Sequence, residues 1–397
     1  MAVPKLRFKE FDGDWTTSPL KALCKINQGL QIAIEDRFLE DGNNRYFYIT
    51  NEFLKEGSKK AYFIENPPKA VICDESDILM TRTGNTGQVV TDVKGAFHNN
   101  FFKIDFDRSI INKNFFIEFL KKDTTQHLIL KYAGASTIPD LNHSDFYRIV
   151  MPITTIEEQT KIASFLSAVD EKISQLTQKQ QLLSQYKQGM MQKLFSQQIR
   201  FKADDGSEFG EWEEKALKTI ARIYDGTHQT PNYVEDGVPF YSVEHVTANN
   251  FSKTKFIAEN VFLDELKRVQ LEKNDILLTR IGDIGTSKLI DWDVRASFYV
   301  SLALIKVDKN HNSSFVNQYI KSIFFQKELH ERTIHVAFPK KINLGEIGLC
   351  LIRLPCLAEQ TKIANFLSSI DQKNEVVAQQ IEQAKQWKKG LLQQMFV

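Results

Sequence analysis

One segment of this chain occurs twice, and this repeat constrains the fold more than any other feature. Glu158-Gln-Thr-Lys-Ile-Ala-Ser-Phe-Leu-Ser-Ala-Val-Asp170 returns 201 residues later (158 to 359) as Glu359-Gln-Thr-Lys-Ile-Ala-Asn-Phe-Leu-Ser-Ser-Ile-Asp371. The same offset carries the segment from Lys187 to Phe195 onto the segment from Lys388 to Phe396. A match that keeps its register over about 40 residues indicates a tandem duplication, so the chain is built from two related halves.

Apolar residues within both copies of the repeat recur at alternating intervals of three and four residues. The first series is Leu166, Val169, Ile173, Leu176, Gln180, Leu183, Lys187, Met190 and Leu194, and the second is Leu367, Ile370, Asn374, Val377, Ile381, Ala384, Lys388, Leu391 and Met395. This spacing predicts two long helices that pair in a left-handed coiled coil. No Pro lies between Ile153 and Thr230, which permits one helix of roughly 40 residues, about 60 Å long at ~1.5 Å per residue.

Polar residues interrupt both series, and they bear on how the helices pair. We expect positions such as Gln180 and Lys187 to fix the register and direction of pairing rather than to strengthen it. Two series of equal spacing at one offset favour a shared partner surface, most simply each other. The alternative is a pair of unrelated amphipathic helices, each covering its own domain.

The composition is that of an ordinary globular chain, with 42% hydrophobic and 25% charged residues. No apolar run approaches the ~20 residues that span a bilayer, and the first ten residues lack the apolar core of a signal peptide. Four cysteines without a C-x-x-C pair indicate reduced thiols, so we expect a cytoplasmic protein. The formal net charge of +1 argues against a strongly basic nucleic-acid coat but permits DNA binding through local patches.

The rest of the chain divides into two similar units, each of mixed α/β class. Residues 77–87 (DILMTRTGNTG) return as residues 275–285 (DILLTRIGDIG). In the first unit we predict short strands at 47–49, 70–72 and 77–80, and a helix over 114–132 that is broken near Asp123. Further matches between the units are Arg7 with Arg200 and Trp15 with Trp212. The predicted division is a first domain at 1–155, a long helix at 156–198, a second domain at 199–355 and a long helix at 356–397.

The motifs of several catalytic classes are missing from the sequence. It has no G-x-x-x-x-G-K-[ST] phosphate loop, no G-x-G-x-x-G after a strand and no G-x-S-x-G elbow. Asn66-Pro-Pro-Lys69 resembles the N-P-P-aromatic loop of adenine methyltransferases but lacks its aromatic residue. The eight histidines show no metal-ligand spacing, so we predict neither a catalytic nor a metal site.

The most suggestive local motif is Thr-Arg-x-Gly-x-x-Gly, which occurs once in each unit. A predicted strand delivers Arg82 or Arg280 into a loop whose glycines allow close approach of a ligand. The arginine fork suits phosphate or guanine, because it donates two hydrogen bonds to either. Asp283 stands where the first unit has Asn85, and a phosphate would repel it, so it is better suited to accept from a cytosine amino group. The alternative is that the arginines pair with carboxylates such as Asp77 and Asp275.

Polar loops that differ between the two units are a second candidate for DNA contact. Residues 226–233 are polar and end in an aromatic residue, whereas the counterpart at 27–31 is shorter. Such differences on a shared scaffold are what base-edge readout requires, although exposed connectors are equally compatible with them. The predicted DNA-binding residues are Gln28, Gln31, Arg82, Asn85, Thr227, His228, Gln229, Tyr233, Arg280, Asp283, Lys340 and Lys341.

Taken together, these motifs resemble the specificity subunit of a type I restriction–modification system. The resemblance covers nearly the whole chain and depends on the repeated Glu-Gln-x-Lys-Ile-Ala segments, the Asp-Ile-Leu-x-Thr-Arg-x-Gly strands and the Gly-Thr-His-Gln-Thr-Pro loop from Gly226. It implies two similar target-recognition domains, each reading half of a split DNA sequence. It also implies two long antiparallel coiled-coil helices that separate the domains in a pseudo-twofold internal repeat and set the length of the undefined spacer between the two half-sites.

The resemblance further implies partners that carry the chemistry. Two methyltransferase subunits would bind the helices and methylate adenine with S-adenosylmethionine, and restriction–translocase subunits that use ATP and Mg would join them. The chain itself would hold no cofactor. The residues expected to pair the helices or bind these partners are Gln159, Lys161, Leu166, Val169, Ile173, Leu176, Leu183, Met190, Gln360, Lys362, Leu367, Ile370, Val377, Ile381 and Leu391.

Two other readings remain open from the sequence alone. One is a self-contained modification or cleavage enzyme, against which the missing cofactor and metal motifs speak. The other is a coiled-coil scaffold that binds protein and never DNA. That scaffold gives no reason for two domains with matched frames and different loops.

Overall fold

The structure is a computed structural model that describes residues 3–55, 57–58, 60–134 and 137–396. Residues 1 and 2 lie outside this description. They belong to the first ten residues, which are predicted to lack the apolar core of a signal peptide. Contacts divide the chain into two compact units. The first contains the residues up to Thr177 and those from Gln379 onward, and the second is Gln178–Ala378. Each long helix therefore contributes one part to each unit.

Over its described residues, the first unit contains ten strands and four short helices, together with the first part of one long helix and the last part of the other. Its strands are β1 (Thr16–Pro19), β2 (Cys24–Gln28), β3 (Arg45–Ile49), β4 (Phe63–Glu65), β5 (Ile72–Cys73), β6 (Ile78–Thr81), β7 (Val89–Val90), β8 (Gly95–Phe97), β9 (Phe101–Phe106) and β10 (Val150–Ile153). Its helices are α1 (Leu20–Leu23), α2 (Lys113–Lys121), α3 (Asp123–Ala133), α4 (His143–Tyr147) and the long α5 (Ile156–Phe195).

The second unit repeats this plan. Its strands are β11 (Glu213–Ala216), β12 (Ala221–Asp225), β13 (Tyr233–Val234), β14 (Val238–Tyr241), β15 (Lys255–Ile257), β16 (Ile276–Ile281), β17 (Asp283–Leu289), β18 (Ser297–Phe298), β19 (Leu302–Val307) and β20 (Leu351–Leu354). Its helices are α6 (Val243–Thr247), α7 (Glu259–Leu266), α8 (Ser313–Ile320), α9 (Ile323–Arg332), α10 (Leu344–Leu349) and the long α11 (Leu357–Met395).

The sheets of the two units correspond closely. A central sheet of order β2-β9-β6-β7 in the first unit matches β12-β19-β16-β17 in the second, and the β1–β10 ribbon matches β11–β20. The remaining sheet differs, because β5 extends the β4-β3-β8 group at one edge, whereas β13 extends the equivalent β15-β14-β18 group at the other. Two similar mixed α/β domains are thus confirmed.

The central strand β6 is buried on both faces, and this burial explains its continuously apolar sequence. Ile78 and Met80 face a core shared with α2 and the long helices, and Leu79 faces a second core beneath the other sheet. In β16, Ile276 and Leu277 divide between two cores in the same way. A strand buried on both faces carries no alternation, so its two-residue period is visible only in the structure.

The helix predicted over 114–132 forms as two helices, and the predicted break is confirmed. The Asn112 side chain caps α2 by accepting from the backbone N–H groups of Asn114 and Phe115. The first helix ends at Lys121, and α3 begins at Asp123. Asn312 caps the equivalent helix α8 through the N–H of Phe315.

One predicted strand, at 70–72, is wrong. Lys69–Val71 forms a 3-10 turn that follows Pro68, and the strand covers Ile72–Cys73. Pro68 has no N–H to donate to a ladder, and Ile72 closes the turn by donating to the Lys69 carbonyl. The strand predicted at 47–49 lies within β3, and that at 77–80 coincides with β6 to within a residue.

The long helices have the predicted length, with 40 residues in α5 and 39 in α11. Within the first unit, Lys388 of α11 forms ion pairs with Asp170 of α5 (2.6 Å) and Glu118 (2.9 Å). Within the second, Lys187 of α5 pairs with Asp371 of α11 (2.7 Å). Each seam lysine thus meets the aspartate that ends the other helix's repeat. Only antiparallel segments allow these contacts.

The helix seams are continuous with the domain cores. Leu166 and Leu391 are buried in the core that contains Phe115, and Leu367 joins the core that contains Phe315. Helix pairing and domain covering, which the sequence posed as alternatives, therefore occur together in each unit. Burying these leucines stabilises each unit by about 1.5–3 kcal/mol per side chain.

Candidate nucleic-acid interface

The Thr-Arg-x-Gly-x-x-Gly segment forms a turn at the end of the central strand in both domains. Gly84 and Gly87 have positive φ angles of 87° and 89°. The Gly87 carbonyl accepts a hydrogen bond from Gln126 Nε2 at 2.9 Å, and a Cβ on Gly87 would lie 2.9 Å from Gln126 Oε1. The second glycine is therefore required by packing against α3, which sequence reasoning missed.

The second domain repeats this arrangement around Gly285, whose φ is 99°. Its carbonyl accepts from Gln326 Nε2 at 2.9 Å, and a Cβ there would lie 2.5 Å from Gln326 Oε1. In this turn the Asp283 carboxylate accepts from the Thr279 hydroxyl at 2.9 Å, whereas in the first domain the Thr81 hydroxyl donates to the Asn85 carbonyl. Asn85 and Asp283 are both exposed.

Three of the predicted DNA-binding residues share one hydrogen-bond network in the first domain. Arg82 donates to both oxygens of Asp140 (3.1 and 2.6 Å) and to Gln28 Oε1 (3.1 Å). The Gln28 side chain also donates to the Asn99 carbonyl, and Asn99 Nδ2 donates to Gln31 Oε1 at 2.9 Å. The network thus joins Gln31, Gln28 and Arg82 in one polar surface.

The carboxylate partner of Arg82 is Asp140, whereas the sequence suggested Asp77. Asp77 lies 3.7 Å from Lys103 instead. The hydrogen bonds from Arg82 lower the pKa of Asp140 and keep it ionised. His143, which the sequence analysis also missed, lies 2.7 Å from Gln28 Oε1 through Nε2. Burial, together with the nearby Arg82, lowers the pKa of His143 and favours its neutral form.

The corresponding arginine of the second domain has different partners. Arg280 is 9% exposed and donates to the carbonyls of Ile342 (3.1 Å) and Val300 (2.9 Å). Burial lowers the pKa of its guanidinium. Among the described residues no carboxylate hydrogen-bonds Arg280, and Asp275 pairs with Lys306 at 2.7 Å. Its contact with DNA stays a prediction, and the geometry shows that it supports the adjoining loops.

Opposite charges occupy the same place beside the two arginines. Leu141 N–H donates to the Arg82 carbonyl, and Ile342 N–H donates to the Arg280 carbonyl, which aligns Asp140 with Lys341. Lys341 is exposed, as is Lys340, whose carbonyl accepts from Gly282 N–H at 2.8 Å. The predicted lysines therefore lie against the predicted turn.

The loop at 226–233 is connected to this region through Val300. Val300 N–H donates to the Thr227 carbonyl at 2.9 Å, while the Val300 carbonyl accepts from Arg280. His228 Nε2 lies 2.6 Å from Asp225 Oδ2, and Gln229 is exposed. Tyr233 lies in β13, in the other sheet, where the Lys255 ammonium stands 4.5 Å from its ring.

The repeated Glu-Gln pair attaches each long helix to its own domain. Gln159 is fully buried, accepts from Asn112 N–H (2.9 Å) and donates to the Thr154 carbonyl (2.8 Å). Gln360 makes the equivalent bonds to Asn312 N–H (2.9 Å) and the Pro355 carbonyl (2.8 Å). Each glutamine therefore joins its long helix to the domain of the same unit by hydrogen bonds.

The glutamates of the pair bind residues near the start of each domain. Glu158 accepts two hydrogen bonds from Arg7 (2.7 and 2.8 Å), and Glu359 accepts two from Arg200 (3.1 and 2.7 Å). Trp212 Nε1 also donates to Glu359, at 3.1 Å. The matched Arg and Trp positions of the two units were the sequence signal for these contacts.

The other residues predicted for helix pairing or partner binding divide by exposure. Lys161 and Lys362 pair with Glu10 (3.4 Å) and Asp204 (2.6 Å) at the domain surface. The remaining predicted residues line the seams. Those that are buried are Leu166, Val169, Leu176, Leu367, Ile370, Val377, Ile381 and Leu391, and those that are half-buried are Ile173, Leu183 and Met190.

Large hydrophobic side chains also lie exposed on the long helices. In the first unit Trp387 is 55% exposed and packs edge-on against Phe165 at 6.0 Å. In the second, Leu182 and Tyr186 are 57% and 52% exposed. Tyr186 and Trp387 occupy equivalent positions in the two copies of the repeat.

Two further properties concern the described part of the chain. Within it, no group of three or more His, Cys, Asp or Glu side chains is arranged to hold a metal ion. Over the same residues, the long helices included, none of the helices combines the length and apolarity needed to cross a membrane.

A sequence profile described as "Type I restriction modification DNA specificity domain" matches residues 12–185 and 210–386. The chain therefore belongs to the family of type I restriction–modification DNA specificity proteins, as its motifs predicted. The specificity subunit of the type I restriction enzyme MjaVIII from Methanocaldococcus jannaschii is 27% identical over 412 residues, which cover 97% of this chain and 94% of that one. The EcoBI specificity subunit from Escherichia coli is 21% identical over 356 residues, or 81% and 72% of the two chains.

Solved structures share the fold. The S subunit of a type I restriction–modification system from M. genitalium matches with a TM-score of 0.63 and 19% identity, covering 100% of this chain and 99% of that one. A chain solved in work on complex assembly and conformational transition of the type I system matches with a TM-score of 0.56 and 14% identity, covering 95% and 96%. The chain is a DNA specificity subunit, and neither the self-contained enzyme nor the scaffold that never binds DNA finds support.

Proposed function

We propose that each of the two domains reads one half of a split DNA target. The observation that carries this proposal is the repeated arginine turn, which has similar glycine φ angles and the same glutamine contact in both domains but different neighbours. Arg82 lies beside Asp140 and Gln28, and Arg280 lies beside Lys341 and the loop from Thr227. A shared frame with different polar side chains is suited to recognising two different base sequences.

The predicted DNA-binding residues are retained in this proposal, with roles that the geometry suggests. The exposed lysines beside the second turn, Lys340 and Lys341, contact phosphates. The exposed amides and carboxylate near the turns, such as Gln31 and Asp283, face base edges. Gln28 has all its polar atoms engaged by neighbours, so it orients the surface rather than reading a base.

We further propose that the long helices bind two methyltransferase subunits and that restriction–translocase subunits join these. The exposed aromatic residues Tyr186 and Trp387, at equivalent positions of the repeat, are suited to two copies of one partner. S-adenosylmethionine, ATP and Mg then belong to the partners. The target adenine is flipped into a methyltransferase pocket. This assembly acts in the cytoplasm. The domains at 1–155 and 199–355 bind DNA, and the helices at 156–198 and 356–397 bind the partner subunits.

The test is the adenine methylome of a host that expresses the chain with its methyltransferase subunit, compared with the methyltransferase alone. We expect a new split motif with two short defined halves around an undefined spacer. Exchanging residues 199–355 for the equivalent domain of a relative should change only one half of that motif. Retaining the domain and exchanging residues 12–155 is the matched control and should change only the other half.

A failure would be informative if partner binding is measured in parallel. If the methyltransferase co-purifies with the chain but no new methylation is found, the domains do not read DNA and the proposal fails. A change in both half-motifs after a single exchange would contradict independent reading by the two domains.

A further inference from the structure

Two hydrophobic side chains in the second domain lie almost completely in solvent. Val336 is 97% exposed and Phe338 is 103% exposed, the highest values among the large hydrophobics of the described residues. They lie in the loop between α9 and α10. An isolated exposed leucine needs no explanation. A fully exposed phenylalanine two positions from an equally exposed valine forms an apolar tip that soluble proteins rarely keep without a partner.

The base of this loop is firmly held. Ile334 N–H donates to the Lys341 carbonyl at 2.8 Å, which closes the loop across its two ends. Gly282 N–H donates to the Lys340 carbonyl at 2.8 Å, so the same base also docks on the arginine turn. His335 Nε2 lies 2.8 Å from the His330 carbonyl. The exposed tip is therefore presented by a structured support.

Basic side chains lie beside the tip. Lys340 and Lys341 follow it after Pro339 and are exposed, and among the described residues the loop at 335–341 carries no carboxylate, while the nearby exposed Asp283 belongs to the turn on which the loop base docks. Arg280 lies beneath the loop base, since its carbonyl accepts from Ile342 N–H. An apolar tip flanked by cations is complementary to a polyanion with an apolar interior. Stacked base pairs have this character, and apolar wedges flanked by basic side chains are used to open base steps.

We infer that Phe338, assisted by Val336, inserts between two base pairs of the DNA bound by the second domain, while Lys340 and Lys341 hold the adjoining phosphates. This inference rests on the proposed function and adds a distortion of the duplex to it. Insertion unstacks one base step, so the half-site read by this domain contains a step that opens easily, such as a pyrimidine–purine step.

Among the residues that the structure describes, the first domain does not show this combination at the equivalent position. There Ile138 is 62% exposed, but Pro139 and Asp140 follow it where the second domain has the two lysines. A carboxylate at this place opposes phosphate contact. The distortion therefore belongs to the second domain's half-site.

The experiment uses the chain in complex with its methyltransferase subunit and a duplex carrying the mapped target. 2-Aminopurine is placed in turn at each position of the second domain's half-site, and the methylated adenine is probed separately. We expect one position outside the methylated adenine to brighten on binding. Phe338→Ala should abolish that signal and weaken binding about tenfold, equivalent to about 1.4 kcal/mol. Phe338→Trp should retain the signal.

Controls separate insertion from other effects. Ile323→Ala removes a 69% exposed side chain at the far end of α9 and should leave the fluorescence and affinity unchanged. The thermal midpoint of Phe338→Ala should equal that of the wild type, because a fully exposed ring stabilises nothing in the free protein. The signal from the flipped adenine should persist in every variant.

The outcomes divide the two proposals. Specific binding without a brightened position outside the methylated adenine, or with unchanged affinity in Phe338→Ala, overturns the insertion and leaves the proposed function standing. Loss of the methyltransferase from the Phe338→Ala complex would show that the loop contacts a protein, which also overturns it. Absence of specific binding by the wild-type complex overturns both.

Discussion

At the scale of single residues, two buried ion pairs attach the long helices to their domains. Glu158 is 1% exposed and Glu359 is fully buried, and they accept two hydrogen bonds each from arginines that lie 151 and 159 positions away in sequence. Burial by itself raises the pKa of Glu158, but hydrogen bonds from Arg7 and Thr154 outweigh it and the pKa is lowered. The carboxylate is therefore ionised at neutral pH, and its removal leaves a partly buried arginine without its partner.

We expect Glu158→Gln to destabilise the first unit by about 3 kcal/mol at pH 7, because breaking a buried pair strands the remaining charge. Thermal unfolding followed by circular dichroism measures the change. Because the folded-state pKa is lowered, the wild-type advantage is complete above the unfolded pKa of about 4.3 and is lost as pH falls through the folded value. Glu157→Gln, which removes an exposed carboxylate from the same helical turn, is the matched control and should change little. An equal loss in both variants would contradict the pairing argument.

Asp140 is the residue that most distinguishes the two arginine turns. Asp140→Asn removes the carboxylate that binds Arg82, and we expect non-specific duplex affinity to rise about fivefold at low salt, equivalent to about 1 kcal/mol. The slope of log affinity against log salt should steepen by about one, because Arg82 gains access to a phosphate. Filter binding with an unrelated duplex measures both. Asp92→Asn, which removes an exposed carboxylate 3.5 Å from Lys113, should have neither effect. An unchanged slope would show that Arg82 does not reach the backbone.

At the scale of elements, a glutamine of the helix that packs on the turn anchors the second glycine of the motif in both domains. Gln126 and Gln326 each donate to the glycine carbonyl and to a carbonyl at the end of the preceding helix, at 2.7–2.9 Å. One glutamine therefore joins the turn to two helices. The side chains that differ between the domains surround this fixed element.

Two alanine substitutions in one turn separate backbone strain from packing. Gly282→Ala should cost about 1 kcal/mol, since its φ of 83° is unfavourable for alanine but its Cβ meets nothing within 4 Å. Gly285→Ala should cost about 2–3 kcal/mol, because its φ of 99° carries the same backbone cost and its Cβ displaces the Gln326 amide from its hydrogen bonds. Thermal unfolding measures both. Because Gln326→Ala alone removes the same hydrogen bonds, the double variant Gly285→Ala/Gln326→Ala should lose less stability than the two single variants together, and strictly additive losses would place the strain of Gly285→Ala in the backbone alone.

At the scale of the whole molecule, the two units share both long helices. The chain passes from the first unit to the second between Thr177 and Gln178 of α5, and it returns between Ala378 and Gln379 of α11. The seven-residue register must therefore be continuous through these two points for both helix seams to form. If the helices set the undefined spacer of the DNA target, these are the points at which its length can be changed.

We expect insertion of one heptad after Thr177 together with one after Ala378 to lengthen the spacer by about three base pairs, since seven residues add about 10 Å. Both half-motifs should stay the same, and methylome mapping reads out both quantities. Insertion of two residues at each point is the control, because it rotates the following segment by about 200° away from its seam and should abolish methylation. A spacer that keeps its length in an active seven-residue variant would show that the helices do not set the spacer length.

How much of this could be read from the sequence depends on the range of each interaction. The helices and their seam follow from a local period, and the two turns follow from a repeated motif. Asp140 binds Arg82 across 58 residues with no spacing rule to reveal it, and Gln126 reaches Gly87 only because α3 folds over the turn. The apolar residues of Val336-Ala-Phe338 are typical of a core segment, yet the Val336 and Phe338 side chains are exposed to solvent. The missed residues all depend on tertiary contacts, or on their absence at the tip of one described loop.

The first unit's core contains residues that the ribosome adds last among those described. Phe396 stacks on Phe115 at 4.7 Å, and Leu391 and Met395 share that core, while Leu6 N–H donates to the Gln394 carbonyl. At about 5–20 residues per second, synthesis of the roughly 200 intervening residues leaves this core open for roughly 10–40 s. The domain made first is thus completed last. A released chain truncated after Gly390 should be cleaved by protease within the first domain, whereas the second domain, whose core is closed by Phe195 and Leu367, should resist.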